Sequence, residues 1–398
     1  MAKILFVALL VGHGLIHALG FLEAFGIAEF PQLSAPISPT MGILWLVAML
    51  LLLAAATTRY LAPHWFWAVG AVALVLSQTL IITAWGDARV GTAANAVLLV
   101  GVALGFVAYG PGSLRAEYDA AVRSSLDTRI DTRLVDESDL WPLPGAVQRY
   151  LRITGAVGQP QIANFKAVWR GRIRASATEP WMPFRAEQYN CFGELPVRLF
   201  FMDATMKHLP IDIFHRFTGN AATFRVRVLS VFTMVDAAGP EMNQGETLTL
   251  CNDLCILAPS RLIDPSIQWD EIDETHVRAR YTRGAITVSA ELVFDASGEL
   301  VDFISDDRFA ASADGKTFTR QRWRTPVRDY KRFGVRRVPR LGEARWIPSS
   351  GELTYVELEL EELNYNIGPR SLAPVRDTAG QESELRTLRT NRSNITRS

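Results

Sequence analysis

The sequence predicts a membrane all-α four-helix bundle followed by a soluble α+β domain, a curved antiparallel β-sheet forming a half-barrel over one or two helices. Three observations predict it. The first 110 residues are apolar and nearly uncharged; four runs within them each approach the ~20 residues that cross a bilayer as a helix; and from about 160 to 366 the pattern shifts to two-residue alternation.

A chain of 398 residues exceeds the usual single domain. The expected division is a transmembrane domain over 1–110, a juxtamembrane linker helix over 111–140, a soluble β-rich domain over 141–369 and a disordered tail over 370–398. The 41 basic and 41 acidic residues cancel, which argues against a nucleic-acid footprint or a polyanionic partner.

The four runs lie at 4–27, 41–57, 64–85 and 92–109. Backbone amides cannot be left unpaired in lipid, so runs of this length read as membrane helices. Lys3 before the first run raises the alternative of a cleaved signal peptide, but no clear small-x-small cleavage site follows and three more runs do. Trp45, Trp65, Trp67, Trp85 and Tyr109 fall near proposed span ends, where aromatic rings settle at headgroup level. Lys3, Arg59, Arg115 and Arg123 share one side and Arg89 the other. Positive-inside counting then gives a multi-pass inner (plasma) membrane protein with its N-terminus and soluble domain in the cytoplasm, the reversed orientation being the alternative.

Polar residues inside the runs are the candidate sites. In "GHGLIHALGF", His13 and His17 are four apart and share a helix face with Gly20 and Ala24. A buried imidazole without a partner costs on the order of 2 kcal/mol or more, so this face should turn toward other spans. The small residues would let a neighbouring helix approach closely. The expected partners are Gln78 and Asn95, with Ser77 and Thr79 nearby. Structural glue is the first reading, and binding of a metal, haem, quinone or proton by the pair is the second. No complete ligand set accompanies them, since Glu23 lies off the histidine face. "GHGLIH" also fails as a dinucleotide fingerprint, with His17 in place of the third glycine and no preceding strand. In "WGDARVGT", Asp87 and Arg89 form a candidate interfacial loop, read as a helix-capping turn or as a headgroup contact.

Beyond the runs, Ser113 can cap a short helix, "SLRAEYDAAVRSSL", expected on or near the membrane surface. A charged segment over 127–139 leads to "WPLPGAVQRYLRITGA", an amphipathic helix opening the soluble domain. "FKAVWRGRIRA", "FRVRVLSVFTMV", "HVRARYTRG", "AITVSAELVFD", "ELVDFISDDRF", "FTRQRWRT" and "YVELELEEL" read as strands, with turns in "DASGEL" and at Asp314-Gly315. One-sided alternation calls for a cover on the apolar face. One candidate is "NQGETLTLCNDLCILAPSRLI", whose Leu248, Cys251, Leu254 and Cys255 form a stripe before Pro259 ends the helix; another lies near "MKHLPIDIFHRF". Cys191, Cys251 and Cys255 are too few for a disulfide framework and read as small buried residues.

Catalytic signatures are missing. "ASADGKT" has Ala310 where a phosphate loop needs glycine, and strands flank it. Asp306 and Asp307 suit a wet strand face, and "RDYKRFGVRRVPR" reads as a solvated loop, or as an anionic-lipid contact if it faces the bilayer. The "NIT" sequon lies in a tail poor in core formers. No catalytic residue, metal or cofactor is assigned.

"HGLIHALGF", "QLSAPIS" and "LSQTLIITAWGDARVGTAAN" resemble a family of uncharacterised bacterial membrane proteins with four spans. From about 143 to 366, "GETLTLCNDLCILAP", "WRTPVRDY" and "ELEELNYNI" resemble the soluble domain of unknown function found in that family. The family pattern carries Lys and Phe where this chain has Arg89 and Val90, which keeps the loop basic. The resemblance implies architecture and transfers no catalytic residue. Sheet-over-helix domains of this kind are also similar to the lipoprotein-localisation carriers, open half-barrels that hold acyl chains, an analogy of fold alone. The expected partners are the lipid bilayer and a lipid or other hydrophobic small molecule, without nucleic acid. The expected function is a membrane-anchored module binding that ligand; the alternatives are a redox or proton-coupled enzyme or subunit using His13 and His17, and a membrane scaffold.

Overall fold

The computed structural model describes residues 2–31, 33, 36–126, 133–207, 209–312 and 315–369. The tail with its sequon, residues 127–132 of the charged segment and Asp314 of the expected turn lie outside the described residues. Helices are α1 (Ala2–Ala24), α2 (Pro39–Leu61), α3 (Pro63–Thr83), α4 (Trp85–Ala88), α5 (Gly91–Tyr109), α6 (Leu114–Ser125), α7 (Gly145–Ile153) and α8 (Pro240–Leu257).

Among the described residues, four helices are long and apolar enough to cross a membrane. Their outward faces carry exposed aliphatic side chains such as Ile16, Val72, Val75, Ile82 and Val100, which water would not tolerate in such density. Inside, Leu10, Leu52, Ala55, Phe66, Ala73 and Leu98 form the bundle core. α2 starts at a serine cap, Ser38 Oγ accepting from Met41 N at 3.3 Å, with Pro39 at its first position. The expected close approach at Gly20 occurs, and its partner is Trp45: a Cβ on Gly20 would stand 2.6 Å from that indole. Trp45 is therefore buried between helices and not an interfacial ring, whereas Trp65 and Trp85 are exposed.

The strands are β1 (Asn164–Ile173), β2 (Met182–Cys191), β3 (Val197–Met206), β4 (Leu209–Thr218), β5 (Ala221–Val228), β6 (Phe232–Ala238), β7 (Ile267–Glu271), β8 (His276–Arg283), β9 (Ile286–Phe294), β10 (Leu300–Ser305), β11 (Phe309–Ala311), β12 (Phe318–Arg320), β13 (Trp323–Arg324), β14 (Val327–Phe333), β15 (Arg336–Trp346) and β16 (Leu353–Tyr365). One antiparallel sheet of 14 strands runs β6-β5-β4-β3-β2-β1-β16-β15-β13-β10-β9-β8-β7, with β14 paired to β15 off that path and β11-β12 a separate hairpin. The path does not close on itself, giving an open, curved sheet.

Several expectations are corrected. "MKHLPIDIFHRF" is no helical cover: it belongs to β3 and β4, because Ile211 and Ile213 alternate onto the core face. "FRVRVLSVFTMV" is two strands, joined at Leu229 and Ser230 with φ of 54° and 58°; positive φ at both central residues is what a hairpin turn matching strand twist needs, yet neither is the usual Gly or Asn. "RDYKRFGVRRVPR" is the β14–β15 hairpin and not a loop. The helix capped by Ser113, whose Oγ accepts from Ala116 N at 3.0 Å, is present. It covers the convex side of the sheet, Leu114, Tyr118, Val122 and Leu126 packing on Tyr189, Leu199, Phe201 and Phe214. Each such buried side chain contributes about 1.5–3 kcal/mol. That contact buries both faces of β3 over 197–202.

Pairing register defines two ends of the sheet. Val228 pairs Ile211, Ile211 pairs Ala204, Ala204 pairs Phe184, Phe184 pairs Gly171 and Gly171 pairs Leu358, a row close to one end. Asn164, Cys191, Val197, Thr218 and Ala221 mark the other. Across this second end, on the concave side, runs α8. Its Asn243 Oδ1 accepts from Ala222 N at 2.8 Å, and the carbonyls of Cys255 and Leu257 accept from the hydroxyls of Tyr150 and Tyr365 at 2.8 and 2.7 Å.

Candidate functional site

The bundle brings the four predicted polar residues together. His13 Nε2 is 3.0 Å from Asn95 Oδ1 and 3.2 Å from Ser77 Oγ. Asn95 Nδ2 donates to Ser77 Oγ and to Gln78 Oε1, both at 3.0 Å, and Gln78 Nε2 donates to Thr92 Oγ1 at 3.2 Å. His17 Nδ1 is 3.0 Å from the His13 carbonyl one turn back, and its Nε2 has no hydrogen-bond partner. The two imidazoles meet edge to face at 4.8 Å, and Trp45 lies 5.0 Å from His17. Thr79 bonds its own helix at Val75 O and stays outside the cluster. The candidate loop is a turn of helix: Asp87 is in α4, Arg89 follows it exposed, and α5 begins at Gly91 without a side-chain cap.

A second polar cluster, in the half-barrel, was not expected. Between α8 and the concave face lies a cavity of about 320 Å³, within the range of small-molecule sites. Its walls are apolar, with Trp169, Phe200, Met202, Phe224 and Ile256 among them, and toward the first end of the sheet Ile173, Trp346, Tyr355 and Val356. The β11–β12 hairpin closes one side with Phe309, Ala311 and Phe318. At the floor, toward the second end of the sheet, stand Arg198, His215, Glu246 and Asp253, with Arg308 between them and Trp346, whose ring is 6.0 Å from its guanidinium.

α8 supplies this floor because it is buried all round. Leu248, Cys251, Leu254 and Cys255 point into the core as expected, all three cysteines of the chain being free and buried. Glu246, Thr249 and Asp253, at i, i+3 and i+7, make another face turned into the cavity. The spacing was visible in "GETLTLCND"; the apolar stripe beside it concealed its meaning.

Arg198, near the start of β3, holds the floor together. Its Nε donates to Asp253 Oδ2 at 2.7 Å and its Nη1 to Glu246 Oε2 at 3.0 Å. Gln188 Nε2 and Asn190 Nδ2 donate to the same Asp253 oxygen at 2.7 and 2.9 Å, and Trp169 Nε1 donates to Gln188 Oε1 at 3.0 Å. Arg308 donates to Gly245 O at 2.9 Å and to Thr249 Oγ1, with its guanidinium 4.5 Å above the Trp323 ring. His215 stacks 4.2 Å from Phe224 with Nδ1 3.4 Å from Glu246 Oε1. Burial would raise the Glu246 carboxyl, but Arg198, His215 and Arg308 hold it well below the usual carboxylate range. Burial wins at Asp253, which is pushed up despite Arg198, and at His215, which is pushed down toward the neutral ring. At the floor two carboxylates thus face two guanidiniums; Glu241 and Glu343 also line the cavity, Glu343 in ion pairs with Arg328 and Arg345. His215 Nδ1 and Arg308 Nε have no hydrogen-bond partner. Among the described residues, no group of three or more His, Cys, Asp or Glu is gathered as a metal site would need.

Residues 133–358 match a family of unknown function, DUF6544. Among solved structures, the chain is similar to a LolA superfamily protein from Nitrosomonas europaea, at 12% identity over 57% of this chain and 96% of that one, with a TM-score of 0.32. It is also similar to a DUF1329 family protein from Desulfovibrio piger, at 10% identity over 64% of this chain and 94% of that one, with a TM-score of 0.27. No curated protein matches.

Proposed function

We propose, for a chain that belongs to the DUF6544 family of unknown function, that the half-barrel is a membrane-tethered binding module for an amphiphile. The apolar part of a lipid or similar molecule fills the cavity, and an uncharged polar head meets its floor. The observation that carries this reading is the cavity itself: apolar walls over most of its depth, ending in a charge-balanced, buried polar floor. A charged head would unbalance two carboxylates and two guanidiniums that already compensate each other at close range, at a desolvation cost of several kcal/mol. A hydroxyl or carbonyl head adds no charge to that balance, and Thr249, Asn252 and Thr325 are polar side chains lining the cavity.

In this reading α1, α2, α3 and α5 anchor the module in the bilayer, and the basic residues Lys3, Arg59, Arg115 and Arg123 put it on the cytoplasmic side. The cluster of His13, His17, Gln78 and Asn95 is glue between spans.

The test is lipid extraction and native mass spectrometry of the full chain purified in mild detergent. The expected result is an amphiphile near one equivalent, reduced tenfold or more by Met202→Trp, which fills the cavity, with unfolding temperature retained. A wild-type chain that carries no amphiphile, and takes up none from mixed micelles, refutes the reading.

A further inference from the structure

The edge strand β6 changes character along its length. At its start Phe232 and Met234 are 61% and 59% exposed, and Val231, just before it, is 50% exposed. Leu209, at the start of β4, is 42% exposed and lies beside them, because Leu229 N donates to Pro210 O at 2.9 Å and ties the β5–β6 turn to that strand. Farther along, the strand becomes polar: Asp236 pairs Arg225 in register, and Arg216 and Arg225 share Glu117 of α6 in ion pairs of 3.1 and 2.5 Å, while a bulge at Met234 sets Phe232, opposite Val228, on the other face from Asp236.

Two contacts give this gradient a direction. Arg225 pairs with Glu117 in the first turn of α6, and Arg227, two residues farther along β5, donates to Gly112 O at 3.3 Å. Travelling along β5 toward its end is therefore travelling back down the chain from α6 toward the end of α5 at Tyr109. A strand rises about 3.3 Å per residue, and the turn closes with Val231 N donating to Val228 O at 3.2 Å, so Leu229 and Ser230 reach roughly 7 Å past Arg227, and Val231 and Phe232 about 3 Å. The three residues from Gly112 back to Tyr109 span at most about 10 Å. The apolar tip thus comes near the level where α5 ends, and the ion pairs of Arg216 and Arg225 with Glu117 stay farther away. Pairing register carries that level across the sheet to Phe184, Gly171 and Leu358, the end toward which the cavity is lined by Ile173, Trp346 and Tyr355.

We infer that the tip formed by Leu209, Val231, Phe232 and Met234 is a membrane-docking surface, seated in the headgroup and acyl boundary of the leaflet where α5 emerges. The partner is lipid. Apolar side chains of this kind gain by burial a few ångströms below the headgroups, and Lys207, just before Leu209, suits an anionic surface. Docked this way, the apolar end of the cavity faces the bilayer, and its charged floor lies farthest from it. The inference rests on α1, α2, α3 and α5 being spans.

The experiment uses the full chain in vesicles of phosphatidylcholine and phosphatidylglycerol. The native cysteines are buried, so a thiol-reactive environment-sensitive fluorophore reports one introduced site in each of Val231→Cys, Phe232→Cys, Leu195→Cys and Ile16→Cys. Leu195 is 73% exposed at the far end of the sheet, and Ile16 is 60% exposed on α1. Lipids carrying a nitroxide on the acyl chain should quench the labels at 231 and 232 at least half as strongly as the label at 16, and leave the label at 195 unquenched. Labels at 231 and 232 no more quenched than at 195, with strong quenching at 16, overturn the docking surface and leave the spans standing. A blue-shifted but unquenched label at 232 overturns it too, since the tip would then be covered by protein. No quenching at 16 removes the spans, and the inference with them.

Discussion

Two clusters of buried polar side chains were built into this chain on opposite principles. In the bundle, His13, Ser77 and Asn95 are bonded to one another across three helices, Gln78 joins them through Asn95, and among the described residues there only Nε2 of His17 is left over. In the half-barrel, Arg198 ion-pairs with both Glu246 and Asp253, Arg308 lies beside Glu246, and all four border open space. A network that uses its own donors is complete without a ligand. A network of charges beside an apolar cavity holds its members in fixed positions and borders space that a ligand can enter. The energies differ accordingly: interhelical hydrogen bonds in membranes are worth about 0.6–2 kcal/mol, whereas stripping one partner from a buried ion pair costs about 3–5 kcal/mol.

The largest effect is expected at Arg198. Arg198→Met leaves Glu246 and Asp253 buried without their shared cation, and denaturant unfolding should record a loss of about 3–5 kcal/mol. Adding Glu246→Gln and Asp253→Asn should recover most of it, because uncharged groups no longer need the guanidinium. A single variant as stable as wild type would mean that the floor is solvated and the contrast with the bundle false.

Asn95 comes next. Asn95→Ala removes the side chain that His13, Ser77 and Gln78 share, and the bundle should lose about 0.6–2 kcal/mol without change in any amphiphile bound by the half-barrel. A spectroscopic signal, metal or quinone lost with this variant or with His13→Ala would turn the glue into a site.

The same contrast explains what could be read in advance. Four apolar runs announce four helices because bilayer thickness dictates their length, and polar residues inside them are so costly that His13, Gln78 and Asn95 had to meet. β1, β8, β9 and β16 alternate and were legible. β3 was not. With α6 on one side and the cavity on the other, "VRLFF" loses its period of two. The turn at Leu229 and Ser230 has none of the residues that usually mark positive φ, so β5 and β6 looked like one strand. On α8, Glu246 and Asp253 are ordinary surface residues until Arg198, 48 and 55 positions away, supplies their charge. Long-range compensation leaves no local pattern.

The smallest effect is a dependence on pH, and it sharpens the picture of the floor. His215 is held below the ordinary 6.5 of a histidine by burial, and by Arg198 of β3 and Arg308 after β10, against the pull of Glu246 on α8. The folded ring therefore refuses a proton that the unfolded ring accepts. Stability from this group is complete above about pH 6.5 and declines as the pH falls through that value. Asp203 acts in the opposite sense. Burial raises its carboxyl to about 6, so below that pH the folded chain takes up a proton that the unfolded chain binds only near 3.8, and acidification adds stability. The wild-type profile mixes the two, and the informative quantity is a difference. Urea midpoints at about pH 7.5 and about pH 5.5 should fall less on acidification for His215→Gln than for wild type. An equal fall in both would mean that His215 titrates freely, that water reaches the floor, and that the end of the cavity is no dry pocket for a head group.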